Sequence, residues 1–263
     1  MVRNSLPVRV VPVSQLVAKG RWRAEALHAD PAHMMIWFTK GQGGIVLAGM
    51  RANYVPNTVV FLPANIPHAF EARPGTFGSV AYIENHSTLE MPEHPILYRV
   101  RDLIAHGEFV NLFETMQKEA AREAAPAQDR ACRFHAGIMG VWLERQENQL
   151  RDGGALSASE RLSRRYATLL EERYASGANV KTMASELGVT PTHLTRACQS
   201  AAGVSAHQLL SERLMYEARA RLARTKTPVS RIAKELGFSS PAYFTRAFQK
   251  ATGTTPSAFR ESQ

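Results

Sequence analysis

The feature that most constrains this chain is an internal repeat in its C-terminal part. The segment ASELGV at residues 184–189 recurs as AKELGF at residues 233–238. Five further residues also recur, at an offset that is one residue longer than that of the first segment. They are Thr195, Arg196, Ala197, Gln199 and Gly203, which recur as Thr245, Arg246, Ala247, Gln249 and Gly253. The slip falls in a turn, where an insertion costs little. Two copies of one motif are much stronger evidence for a supersecondary unit than either copy alone.

Each copy has the residue types that a helix-turn-helix requires. Such a unit needs a small residue where its first helix crosses the second, and a glycine that accepts positive φ in the turn. Ala184 and Gly188 occupy these places in the first copy, and Ala233 and Gly237 occupy them in the second. We therefore expect two helix-turn-helix motifs, at about residues 180–200 and 229–251.

A start signal for the second helix follows each turn. Thr190 and Ser240 are good N-caps, because their side-chain oxygens can accept a hydrogen bond from an N–H group of the first turn. Pro191 and Pro241 follow them, at the first helical position, where a missing N–H costs nothing.

The outer face of each second helix is the expected DNA-binding surface. Its residues are Thr192, His193, Thr195, Arg196 and Gln199 in the first copy, and Ser240, Pro241, Ala242, Tyr243, Thr245, Arg246, Gln249 and Lys250 in the second. An arginine can donate two parallel hydrogen bonds to guanine, which discriminates by about 1–3 kcal/mol. Arg196 is therefore expected to contact a base, and Arg246 is a candidate for the same contact; the alternative for both is contact with phosphate or solvent alone. Pro241 and Ala242 offer few donors, so the second helix would bind mostly through phosphates.

Residues 205–223, between the copies, predict one long helix with Ser205 as its N-cap. Such a strut would hold the two reading helices roughly 34 Å apart, which is one turn of duplex DNA. Four basic residues on or beside this helix are expected to be solvated or salt-bridged rather than to contact DNA: Arg213, Arg219, Arg221 and Arg224.

The charge is distributed unevenly along the chain. Residues 159–263 hold 16 of the 32 Lys and Arg residues but only 8 of the 23 Asp and Glu residues. The remaining residues are nearly neutral, although the whole chain has a formal net charge of +9. This asymmetry indicates a polyanionic partner for the C-terminal part. A merely well-solvated basic surface is the alternative.

The N-terminal half predicts short strands separated by links rich in proline, glycine and asparagine. The runs are residues 34–39, 44–48, 51–54, 58–62, 68–71 and 77–83. Short strands at such close spacing predict a small antiparallel sandwich or barrel.

Helices are expected after this region. Ile96, Leu97, Val100, Leu103 and Ile104 share one helical face, as do Phe134, Ile138, Val141 and Trp142, beside Gly137 and Gly140, which would allow another helix to approach. The second of these faces is a candidate dimer seam, and packing on the β-strand unit is the alternative. Residues 151–154 predict a linker. The expected domains are therefore residues 1–92, a helical coupling and dimerisation segment at 93–155, and a DNA-binding domain at 156–263.

The stretch GFSSPAYFTRAFQKATGTTPSAFR at residues 237–260 resembles the signature of AraC/XylS-type transcription regulators. The resemblance extends over about residues 161–260 and implies a seven-helix domain with two helix-turn-helix units, usually acting as an activator. It places Thr192, Thr195 and Arg196 at base-reading positions, with Pro241, Ala242, Tyr243 and Arg246 in the equivalent region of the second unit. The expected partners are promoter or operator DNA and, for an activator, RNA polymerase.

Residues 54–70, YVPNTVVFLPANIPHAF, resemble more weakly the cupin-like sensor domain of such regulators. The family then implies a small-molecule effector and a homodimer. Trp37, His68 and Tyr82 are candidate effector contacts, each with a plainer reading as a core or barrel-rim residue. An effector-independent regulator, whose barrel serves only for dimerisation, remains an alternative.

A metal-dependent cupin enzyme is the rival from another class. His28, His33 and His68 are available, but the close His-x-His pair and following Glu of such cupins are missing. We therefore expect no catalysis, no metal and no cofactor.

Cys132 and Cys198 make no disulfide framework. With neither a membrane-spanning apolar run nor a signal peptide in the sequence, a cytoplasmic protein without membrane contact is expected.

Overall fold

The computed structural model describes residues 7–18, 20–122, 126–150 and 156–263, without the side chains of residues 147–150. The described strands form two antiparallel sheets. The larger contains β1 (Val8–Pro12), β2 (His33–Lys40), β5 (Thr58–Leu62), β7 (Phe77–Ile83) and β8 (Ile96–Arg99), in the order β1-β7-β2-β5-β8. The smaller contains β3 (Gly43–Leu47), β4 (Met50–Tyr54) and β6 (His68–Phe70), in the order β4-β3-β6. Six of these strands confirm the predicted runs.

The expected closed barrel does not form among the described residues, because the two sheets stay separate and open. They stack instead, as the sandwich alternative requires. Phe38 of β2 and Tyr54 of β4 stack with ring centroids 3.8 Å apart, so both sheets contribute to one core. The strands therefore bury their apolar faces by facing each other rather than by closing into a ring.

Both faces of the larger sheet are buried. Successive side chains of a strand point to opposite faces. In β2, Met34 and Ile36 face the smaller sheet, whereas Met35 and Trp37 pack against two long helices, α3 (Leu103–Ala120) and α4 (Gln128–Leu150). This double burial explains why the run at β2 is continuously apolar rather than alternating.

The predicted helix at Ile96 and Leu97 is wrong, because these residues form β8. Ile96 lies opposite Phe61 of β5, so the strand pairing outweighs the helical spacing of the apolar residues. Helix α3 begins only at Leu103, after Asp102, whose side chain accepts a hydrogen bond from the Ala105 N–H at 2.7 Å. Leu103 is 87% exposed and does not enter the core.

Gly137 and Gly140 of α4 face a loop rather than another helix. A Cβ on Gly140 would lie 3.1 Å from the Met91 sulfur and 3.2 Å from the Glu90 carbonyl oxygen. Residues 89–91 therefore occupy the place where a second helix was expected. The predicted linker at residues 151–154 lies outside the described residues, and Ser157 caps the next helix through the N–H of Glu160.

The C-terminal part, residues 156–263, contains seven helices. They are α5 (Ala158–Arg173), α6 (Val180–Glu186), α7 (Pro191–Ala202), α8 (Ala206–Arg224), α9 (Val229–Glu235), α10 (Pro241–Thr252) and α11 (Pro256–Glu261), with a 3₁₀ turn at Tyr174–Ser176. Helix α8 confirms the predicted strut, and its 19 residues give it a length of about 28 Å. One apolar core surrounds α5, α6 and α7, another surrounds α9, α10 and α11, and α8 contributes to both.

Two short helices complete the N-terminal part, α1 (Val13–Val17) and α2 (Trp22–Glu25). The sequence did not predict either of them. Among the residues that are described, no helix is long and apolar enough to cross a membrane.

Candidate nucleic-acid interface

Two helix pairs, α6 with α7 (the first helix pair) and α9 with α10 (the second helix pair), share one turn geometry. In each turn the glycine N–H donates to a carbonyl three residues earlier, and the following N–H donates to a carbonyl five residues earlier, all at 3.0 Å. The glycines are Gly188 at φ +73° and Gly237 at φ +76°, as the sequence predicts. The repeat is therefore reproduced in backbone hydrogen bonds as well as in residue types.

The second helix of each pair starts and stops in the same way. Thr190 accepts a hydrogen bond from the His193 N–H, and Ser240 accepts one from the Tyr243 N–H, both at 3.2 Å. A proline occupies the first helical position in each. Both helices end at a left-handed glycine, the third repeated element of the motif.

The buried faces of α7 and α10 determine which residues face outward. Leu194 and Cys198 of α7, and Phe244 and Phe248 of α10, are completely buried. Residues three or four positions apart lie on one side of a helix, so the side chains opposite this buried side, Arg196 of α7 and Arg246 of α10 among them, face away from the core. Burial also raises the pKa of the Cys198 thiol to about 11, which keeps the thiol protonated at neutral pH.

The structure places nearly all predicted DNA-binding residues on the outward faces. The exposed ones are Thr192, His193, Arg196, Gln199, Pro241, Ala242, Tyr243, Arg246, Gln249 and Lys250. Thr195 and Thr245 are half-buried, and the Thr245 hydroxyl donates to the Pro241 carbonyl at 3.0 Å. Ser240 is half-buried and acts as the cap.

Arg196 and Arg246 have no internal partner for their charge. Within residues 156–263, every ion pair involves other arginines, and neither of these two guanidinium groups lies within 4.0 Å of a carboxylate. Both side chains are therefore available to an external anion or base edge.

The arginines of α8 behave differently, as expected. Arg213 is 3% exposed and pairs with Glu171 through Nε and Nη2 at 2.7 and 2.8 Å. Arg221 bridges Glu217 and Glu235, each at 2.8 Å. These two arginines are salt-bridged within the protein, which confirms the prediction for them.

The three predicted effector contacts are not brought together. Trp37 packs against α3, with its ring centroid 5.4 Å from that of Phe109. Tyr82 of β7 is paired with Met34 of β2 and lies on the other face of the sheet from Trp37. His68 is buried at the contact between the strand-rich part and α8. A single site lined by all three side chains is therefore excluded by the geometry.

Of the three predicted effector contacts, Tyr82 is the one placed at a cavity. The cavity has a volume of about 430 Å³ and is also lined by Arg9, Asp30, Glu84 and Asn85. The Arg9 guanidinium lies 4.3 Å from the centre of the Tyr82 ring. Burial raises the pKa of the Tyr82 hydroxyl to about 12, so this group is a neutral hydrogen-bonding group at physiological pH.

His68 and His28 form a buried pair beneath α8. The two imidazole centroids are 4.4 Å apart, and the His28 ring stacks on Tyr216 at 4.3 Å. Each Nδ1–H donates to a backbone carbonyl, of Ala26 at 2.8 Å and of Ile66 at 2.9 Å. Burial lowers the pKa of both imidazoles, and for His28 the neighbouring His68 lowers the pKa further.

His33, the third histidine considered as a metal ligand, stacks on Phe61 and accepts a hydrogen bond from the Ala64 N–H. Over the described ranges, no three His, Cys, Asp or Glu side chains form a group that could hold a metal ion.

One segment of the N-terminal part contacts both C-terminal cores, which the sequence did not predict. Trp22 lies edge-to-face with Tyr216 and Phe259, at centroid distances of 5.4 and 6.1 Å. Leu27 is 1% exposed and belongs to the core of the first helix pair. A further contact is made by Ser163 of α5, whose hydroxyl donates to the Gly49 carbonyl at 2.6 Å.

Comparison with known proteins is informative for the C-terminal part. The family model described as a helix-turn-helix domain matches residues 183–262. The arabinose operon regulatory protein of Escherichia coli is 27% identical over 85 residues, which are 32% of this chain and 29% of that protein. The probable transcription factor PqrA of Proteus vulgaris is 35% identical over 86 residues, which are 33% of this chain and 70% of PqrA.

Among solved structures, ToxT from Vibrio cholerae aligns over 98% of this chain and 99% of its own, with a TM-score of 0.47 and 11% identity. The chain spans less than a third of the length of the arabinose operon regulatory protein, at 29%. PqrA, in contrast, is matched over most of its length, at 70%. On this match and the repeated helix pairs, the chain belongs to the AraC family of helix-turn-helix transcription regulators.

Proposed function

We propose that this protein is a sequence-specific DNA-binding transcription regulator, and that it acts as an effector-responsive activator at promoters. The observation that carries the proposal is the pair of outward faces on α7 and α10, which have matching caps and present Arg196 and Arg246, two arginines that pair with no carboxylate within residues 156–263. Each helix pair then acts as one helix-turn-helix unit. RNA polymerase is the partner that an activator requires, and the cytoplasm is where both partners are found.

In this proposal the two units bind DNA differently. Arg196, with Thr192 beside it, supplies hydrogen-bond donors to base edges in the major groove. Beside Arg246 stand Pro241 and Ala242, which have little to donate, so the second unit binds mainly through phosphates. Specificity would then come mostly from the first unit, and affinity from both.

The effector site that we propose is the cavity lined by Tyr82. Its size suits one small molecule, and Arg9, Asp30 and Asn85 supply groups that could orient a polar ligand. A structural change caused by ligand binding would be transmitted to α8 over a short distance. Asp30 lies two residues after His28, and the His28 ring stacks on Tyr216 of α8. If no small molecule binds, the strand-rich part serves assembly alone.

We propose that the active form is a homodimer joined through α4. Phe134, Ile138 and Val141 are 66%, 51% and 46% exposed and are spaced so as to form one stripe. An apolar stripe of this kind on a helix is normally covered by another protein surface. A second copy of α4 fits it, since two identical stripes can pack across a two-fold axis.

The test is DNA binding by the full chain. A duplex selected by the wild-type protein from a random library is titrated by fluorescence anisotropy, together with a scrambled duplex. We expect Arg196→Ala to lose about 5- to 150-fold in affinity for the selected duplex, the loss of one bidentate base contact, and to relax the preference at one base position. Affinity for the scrambled duplex should change little.

Arg101→Ala is the matched control. Arg101 is an exposed arginine that follows β8 and lies outside α4, so its replacement removes the same charge from the N-terminal half of the chain. It should leave binding unchanged. If Arg196→Ala keeps full specificity, Arg196 does not read a base. If the wild-type protein binds no duplex even at low salt, where phosphate contacts are strongest, the proposed function is wrong.

A further inference from the structure

The turn of the second helix pair touches the segment just before the first helix pair directly through two glycines. Gly177 follows the 3₁₀ turn that precedes the first helix pair, and Gly237 is the turn glycine of the second helix pair. A Cβ on Gly237 would lie 2.3 Å from the Gly177 backbone nitrogen and 2.5 Å from its Cα. The facing atoms are backbone, which cannot rotate away as a side chain can. At this point the two units are in contact with no side chain between them.

The equivalent glycine of the first pair makes no such contact. Gly188 has nearly the same φ as Gly237, +73° against +76°, and the same turn hydrogen bonds. A Cβ added to Gly188 would meet no atom within 4 Å. The turn geometry therefore requires a glycine in both copies, but close approach of another backbone requires it only in the second.

The surroundings of Gly177 keep it in place against both cores. Tyr174, three residues earlier, packs in the core of the first pair and in that of the second. The Arg213 guanidinium lies 3.8 Å from the centre of the Tyr174 ring and ties it to the strut helix α8. A displacement of Gly237 from Gly177 therefore cannot be absorbed by a soft loop.

We propose that the Gly177–Gly237 contact sets the distance and angle between the two recognition helices, and thereby the spacing of the two half-sites that the protein accepts on DNA. The inference rests on the proposed function. The strut helix α8 limits how far apart the units can be, and the glycine contact sets how closely they approach. Gly177 and Gly237 are in this sense positioning residues, because they act on DNA only through the helices that they hold.

Gly237→Ala is the main variant. To reach the ordinary contact distance of 3.4 Å from an initial 2.3 Å, the second turn has to retreat by about 1 Å. Gly188→Ala is the matched control, because it introduces the same left-handed strain in the same kind of turn without any clash. Gly177→Ala is the milder variant, because its Cβ would meet the Gly237 carbonyl oxygen at 3.2 Å.

The experiment measures affinity of the full chain for three versions of the duplex selected by the wild-type protein. One has the selected spacing, one has a base pair inserted between the half-sites, and one has a base pair removed. A fourth duplex contains only the first-unit half-site. We expect the wild-type protein and Gly188→Ala to prefer the selected spacing equally. Gly237→Ala should lose about tenfold at that spacing, comparable with one mismatched base pair, and should lose the preference among spacings.

The half-site duplex separates mispositioning from misfolding. Binding to it should be equal for the wild-type protein, Gly237→Ala and Gly177→Ala, because in each of them the first unit keeps its own core. If Gly237→Ala fails to fold, as judged by thermal unfolding, Gly177→Ala takes its place, with a smaller loss expected. If the glycine-contact variants keep the spacing profile of Gly188→Ala, the inference is overturned while the proposed function stands. Absence of wild-type binding to every duplex would overturn both.

Discussion

Replacing Arg213 by methionine should destabilise the protein strongly without involving DNA. The Arg213 side chain is 4% exposed, and two parallel hydrogen bonds at 2.7 and 2.8 Å join it to Glu171. Burial by itself would lower the pKa of the guanidinium, but the contacts with Glu171 raise the pKa above its ordinary value. Arg213→Met leaves the Glu171 carboxylate without its partner inside the helical core.

The expected cost follows from that stranded charge. Removal of one partner of a buried ion pair costs about 3–5 kcal/mol. The Glu171 side chain keeps 19% exposure, so water can solvate part of the carboxylate and we expect the lower end, about 3 kcal/mol. Glu217 keeps its contact with Arg221 and is not stranded. Urea unfolding followed by circular dichroism gives this free energy by linear extrapolation.

A double variant tests the reasoning. Arg213→Met combined with Glu171→Met removes both charges and fills the site with apolar side chains, so its stability should return to within about 1 kcal/mol of the wild type. If the single variant loses less than about 1 kcal/mol, the pair is not effectively buried. If the two replacements are simply additive, the single variant lost packing rather than a charge partner.

Two further predictions concern the N-terminal part. Because the folded-state pKa of His28 lies well below its ordinary value, the unfolded chain takes up a proton that the folded protein resists. The free energy of unfolding should therefore decrease as the pH falls from about 7.5 through about 6.5 and below, and His28→Gln should flatten this slope; an identical slope in the variant would contradict the burial argument. Ile138→Ser should convert a dimer into a monomer in sedimentation velocity, with the exposed Thr115→Ser of α3 as control, and a monomeric wild-type protein would refute the role given to α4.

The sequence predicts what local patterns encode. The six strands from β2 to β7 follow from alternating or continuous apolar runs between turn residues, and helices α7 and α10 follow from the repeat together with Thr190 and Ser240 as caps. Strands β1 and β8 are not predicted from the sequence, because each forms by pairing with a strand that is distant along the chain. Val8 pairs with Ile83, far along the chain.

At the candidate functional sites, the sequence predicts the positions of some residues and not of others. The outward faces of α7 and α10 are determined by helical period alone, so they can be inferred without any tertiary information. Their binding roles stay predictions. Trp37 and Tyr82, in contrast, are both aromatic residues of strands, and only the register of β2 against β7 reveals that they point to opposite faces. The contact of Gly177 with Gly237 has no signature in either segment.

The insertion of Trp22 and Leu27 into the helical part has a practical consequence. A fragment that begins at α5 would retain α7 and α10 with their outward faces, yet the Trp22 indole would no longer cover Tyr216 and Phe259, and the first core would lose an almost completely buried leucine. Such a fragment would expose to water the apolar surfaces that Trp22 and Leu27 cover, and it would tend to self-associate. Any design that isolates the C-terminal half should therefore include polar substitutions on these newly exposed surfaces.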